Sequence, residues 1–171
     1  MAAALVAVPL MCAGCARFGI TDAAEAIAFT RHCEPIELTL VEDHRAAYQA
    51  SGCGPPAHYR CADRRCDPIR TPATVSASVV ATHVRLDSLR EDVLRCVGGE
   101  EITVQFLISG EQHEPSRIQT APAVGPTGLR CLTEQLRRAV WLADFIDEPR
   151  PILMSHTFAP REESPATTQS F

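Results

Sequence analysis

The sequence predicts an α+β protein made of two small disulfide-stapled modules. Three observations predict it. Eight cysteines fall in 171 residues, a helical period gives way to strand alternation twice along the chain, and an uncharged Thr/Ser/Ala-rich stretch separates the two occurrences. Hydrophobic residues are 46% and charged residues 22% of the chain, the balance of a packed protein rather than a disordered one. The net charge of -5 argues against a phosphate-binding face, so no nucleic-acid partner is expected.

The first module is read over residues 21–67. In "TDAAEAIAFTRHC", Thr21 to Cys33, Ala23 and Ile27 with Ala24 and Ala28 share one helical face. Thr21 or Asp22 serves as N-cap, and Glu25 favours the first turn. Ile36, Leu38 and Leu40 alternate with Glu37, Thr39 and Val41, the period of a half-buried strand. Arg45 to Ala50 and His58 to Cys61 read as further strands around the Gly-Cys-Gly-Pro-Pro turn. Thr71 to Val80, "TPATVSASVV", carries no charge and reads as a linker or an edge strand; the favoured reading is a linker over residues 68–83 that stiffens into a strand at its end.

The second module is read over residues 84–158. Leu86, Leu89, Val93, Leu94 and Val97 recur at helical spacing until Gly98-Gly99 stops the helix. Ile102, Val104, Phe106 and Ile108 alternate as the clearest strand, and Arg117 to Ala121 returns as its hairpin partner. Pro126 opens a second helix whose apolar face is Leu129, Leu132, Leu136, Val140 and Trp141. Ile152 to Phe158 is the last strand, and residues 159–171 read as a loose tail. Two helices should therefore cover one face of a three-stranded antiparallel sheet.

Ala2 to Met11, "AAALVAVPLM", is too short to span a bilayer and fits the apolar part of an export signal over residues 1–15. Ala13-Gly14-Cys15 resembles the bacterial lipobox, which implies lipidation of Cys15. Cys12 stands where leucine is usual, and no positive charge precedes the run, as an upstream start would explain. Ala16 rather than aspartate follows Cys15, which favours the outer over the inner membrane. Every one of the 16 basic residues is arginine, a bias of GC-rich genomes. The expected setting is the periplasmic face of a cell envelope, with a lipid anchor on the membrane and a protein partner.

The run "LREDVLRC…EEITVQFLISGEQHEPSRIQTAP…GLRCLTEQLRRAVWLADF…RPILMSHTF" resembles the TonB C-terminal type of domain, in particular the AgmX/PglI C-terminal variant. Cys96 and Cys131 fall on that pattern's two cysteine positions, and Phe158 on its terminal aromatic. The likeness spans about residues 86–158 and departs from the pattern at "ADF" and "SHTF". It implies the helix-strand-strand-helix-strand fold and a capacity to pair an edge strand with a partner peptide. Residues 21–67, with "SGCGPPAHYRC", resemble a cysteine-bearing module of short myxobacterial lipoproteins, for which no activity is implied.

Export leaves Cys33, Cys53, Cys61, Cys66, Cys96 and Cys131 in the folded part, and three readings compete for them. Cys53, His58, Cys61 and Cys66 could supply four zinc ligands in a small zinc-dependent or thiol enzyme. A redox centre would need a C-x-x-C pair at a helix start, which these six do not provide. Staples need only reach, and they are the favoured reading. Cys61 and Cys66 can close a tight loop, Cys33 can meet Cys53 in the glycine turn, and Cys96 and Cys131 would then join the two helices. No cofactor or metal is expected. His44 with Asp43 and Glu42 reads as a charged turn, and Ser155-His156 lacks a third partner at a recognisable spacing. Tyr59 and Trp141 read as core packing. No catalytic constellation emerges.

Overall fold

The computed structural model describes residues 18–44, 46–73, 75–108, 114–141 and 151–161. The expected export signal, Cys15 and most of the tail lie outside them. The elements run α1 (Ile20–Arg31), a 3-10 turn (Pro35–Glu37), β1 (Thr39–His44), β2 (Ala47–Ser51), β3 (Ala57–Ala62) and β4 (Arg65–Pro72). Then come α2 (Ala77–Ser88), α3 (Arg90–Cys96), β5 (Ile102–Ile108), β6 (Pro115–Ala121), α4 (Pro126–Trp141) and β7 (Ile152–Phe158).

The α+β class holds, but the two sheets are one. All seven strands form a single antiparallel sheet in the order β4-β3-β2-β1-β7-β5-β6. The seam is short: β1 pairs with β7 at Leu40–Leu153 and Val41–Ile152, and the Glu42 amide donates to the Pro151 carbonyl just before β7. Side chains extend it. Thr39 Oγ1 accepts from the Ser155 amide and donates to the Ser155 carbonyl. Ser155 Oγ donates to the Ile36 carbonyl, and Gln105 Nε2 donates to the carbonyls of Pro35 and Leu38. Thr39, Gln105 and Ser155 are all buried, so these bonds satisfy groups that water cannot reach.

Successive strand residues face opposite ways, and the helices use both faces. Ile152, Met154 and Phe158 of β7 pack with Leu86, Val93, Leu132 and Leu136 of the three later helices. Leu153, between them in sequence, packs with Ile27 and Ala28 of α1. As expected, helices cover one face of β5, β6 and β7; α1 covers the other face on the far half of the sheet.

The expected linker at 68–83 is instead the end of β4 and the start of α2. Val79, Thr82 and Leu86 are buried at helical spacing, so tertiary packing overrides the low helix propensity of a Val/Thr/Ser run. The helix expected from Leu86 onward is two helices meeting at Leu89. The first expected strand is shortened at its start by the Pro35–Glu37 turn.

Candidate functional site

The described cysteines pair as three disulfides: Cys33–Cys53, Cys61–Cys66 and Cys96–Cys131. Each pairing has a local cause. Cys61 and Cys66 sit directly opposite in the β3–β4 hairpin. Cys96 ends α3 and faces α4, where Gly128 lets the helices approach; a Cβ there would stand 2.9 Å from the Cys96 carbonyl oxygen. Cys53 lies between Gly52 and Gly54 in a run of three positive φ angles, 89°, 52° and 116°. A Cβ on Gly52 would stand 2.1 Å from the Glu37 oxygen, so only glycine fits.

Arg31, which the sequence did not mark, fixes that loop. Its guanidinium donates to the Tyr59 hydroxyl at 2.9 Å and to the carbonyls of Gly52 at 2.7 Å and Pro55 at 3.1 Å, and it lies over the Tyr59 ring. Tyr59 is core of the small sheet, as expected.

The four residues weighed as zinc ligands are not brought together. Cys53 is bonded to Cys33, Cys61 to Cys66, and His58 Nδ1 pairs with Asp43 at 3.2 Å. Among the described residues one three-ligand group is close enough for a metal, Cys33, Glu37 and Cys53, and its two sulfurs are bonded to each other. The side chains of His44 and Trp141 lie outside what is described. Tyr48 is buried, and burial with the nearby Glu42 and Asp22 carboxylates pushes its phenol up to about 12. That keeps it neutral at ordinary pH.

Ser155 and His156 point to opposite faces, Ser155 toward the 3-10 turn and His156 toward α2, so they are not a catalytic pair. His156 does have partners that the sequence hid. Its Nδ1 lies 2.8 Å from His83 Nδ1, and its buried Nε2 faces Asp87 Oδ1 at 3.5 Å. Asp87 also accepts from Arg90 at 2.6 Å, and Phe158 meets the His156 ring edge-on. Burial, then the neighbouring His83, lowers His156 to about 4; burial lowers His83 as well. The Arg90 hydrogen bond, chiefly, lowers Asp87. The two rings offer two nitrogens to each other while the carboxylate sits on the other nitrogen of His156. That geometry has room for one cation on the pair and not for two.

The sheet has two outer edges. β4 carries Pro68 and Pro72, which have no N–H to offer, whereas β6 is free of proline from Ser116 to Ala121. The β7 edge that a three-stranded domain would leave open is occupied by β1. No family model, curated protein or solved structure matches the chain. No helix of the described residues is long and apolar enough to cross a membrane.

Proposed function

We propose that the protein is an exported, lipid-anchored binding or scaffolding module of a bacterial cell envelope, acting at the periplasmic face without catalysis. The single observation that carries this reading is that all six described cysteines are consumed in three disulfides, which persist in oxidising compartments. The apolar run before Cys15 supports export, and Ala13-Gly14-Cys15 supports acylation of Cys15. Ala16 favours the outer membrane. The resemblance of residues 86–158 to TonB C-terminal-type domains favours a strand-adding mode.

Because β1 fills the β7 edge, such pairing is directed to β6, where an extended segment of an envelope protein would continue the sheet. Fractionation tests the reading. The full chain expressed in a bacterium should enter the membrane fraction and incorporate labelled palmitate, and Cys15→Ala should move it to the soluble periplasm. A chain that stays in the cytosol, or takes no lipid, contradicts it. A photoreactive residue at Gln119 of β6 should crosslink an envelope protein, and one at Asp67 of β4 should not.

A further inference from the structure

We propose that His83 and His156 form an acid-released latch that holds α2 on the sheet. At 2.8 Å between two Nδ1 atoms, one ring must donate and the other accept, so the contact persists only while at least one of the two imidazoles is neutral. Protonation of both rings sets N–H against N–H at that distance and turns an attraction into a repulsion between two cations.

The surroundings offer one carboxylate, Asp87, against two added charges. The titratable and charged groups in the cluster are His83 and Asp87 from α2, Arg90 from α3 and His156 from β7. From β5 and α4 the shared core receives Val104, Phe106, Leu132, Leu136 and Ala139, all apolar. Asp87 is already engaged by Arg90 at 2.6 Å, and Arg90 Nε is buried without a hydrogen-bond partner among the described residues. Burial lowers the proton affinity of both rings, and the neighbouring His83 lowers that of His156 further.

α2 is also the element freest to leave. Cys33 follows α1, Cys96 lies in α3 and Cys131 in α4, so among the described helices α2 alone has no covalent tie beside it. Its inner face buries Val79, Thr82 and Leu86, while Val80 and Val84 on its outer face are exposed. Departure of α2 uncovers the apolar face of β7 and α4 without disturbing any bridge. Acid thereby converts a closed surface into an adhesive one, whatever the compartment.

The sign is fixed. Both rings bind a proton more readily in the open form, so α2 is held fully above pH 6.5, the ordinary histidine value, and loses its hold as pH falls toward about 4, where docked His156 titrates too. One proton taken up on opening raises the opening constant about tenfold per pH unit, so roughly a hundredfold between pH 6.5 and 4.5.

Hydrogen exchange of the full chain, corrected for intrinsic rates, tests this at pH 6.5, 5.5 and 4.5. Amides of α2 should lose protection by about that factor, while those of β5 and β7 keep theirs. In His83→Gln/His156→Gln the slope for α2 should vanish. Nitrogen NMR of the wild-type rings decides the matter even if that variant does not fold. At least one of the two rings staying neutral down to about pH 5 supports the latch. Rings that titrate near 6.5 with α2 protection unchanged at pH 4.5, or a slope that survives in the double variant, overturn it.

Discussion

The hydroxyl of Thr39 bridges both backbone polar groups of Ser155, accepting from its amide at 2.9 Å and donating to its carbonyl at 3.3 Å. A side chain thus continues a ladder that backbone pairing between β1 and β7 leaves after two residue pairs. Sheet continuity between the two halves of the chain depends on such buried polar contacts more than on ladder length.

Gln105→Leu tests that dependence. It removes the donor to the Pro35 and Leu38 carbonyls; Pro35 keeps the Leu38 N–H, but the Leu38 carbonyl is left facing an apolar side chain. The unfolding free energy should fall by about 2 kcal/mol. Urea denaturation followed in both halves should also show separated transitions; one unshifted transition contradicts the importance of the seam.

Gly52→Ala should lower stability by at least about 2 kcal/mol, because it combines a positive φ of 89° with a Cβ 2.1 Å from the Glu37 oxygen. It should also leave free thiol at Cys33 and Cys53 during oxidative folding. A variant that oxidises normally and melts with the wild type would show that the loop has room to relax.

Gly128→Ala separates packing from propensity. Alanine favours a helix by about 1 kcal/mol, yet here its Cβ would stand 2.5 Å from Val124 Cγ1 and 2.9 Å from the Cys96 oxygen. The expected outcome is a lower melting temperature and a slower Cys96–Cys131 closure. A gain in melting temperature would place the helix contact elsewhere.

Tyr48 sets an alkaline limit. Its folded value, raised from 10 to about 12, is above the unfolded one, so the stability of the neutral phenol is complete below pH 10 and is lost as pH rises toward 12. Denaturation midpoints of the wild type should fall across that window, and Tyr48→Phe should flatten the fall. Equal slopes contradict the assignment.

Much of this was legible in the residues. The alternation in Ile102 to Ile108 and the helical face of Leu132 and Leu136 are local patterns, and the structure keeps them. The staples were readable because hairpin and turn residues place Cys61 against Cys66 and Cys53 in a glycine-flanked bend. β4 was missed because residues 68–83 read as a linker from the uncharged Thr/Ser/Ala-rich run, whereas an edge strand tolerates the Pro68 and Pro72 it contains. The single sheet was missed because its seam joins Thr39 to Ser155, residues 116 positions apart, through two ladder pairs and side-chain bonds without a periodic signature. The His83–His156 pair, 73 positions apart, was hidden for the same reason.

The most direct test of the account is the mass of the native protein after alkylation, with and without prior reduction. Three bridges predict no alkyl group on Cys33, Cys53, Cys61, Cys66, Cys96 or Cys131 before reduction and one on each of these six after it. Alkylation of any of them in the folded, unreduced protein would contradict it.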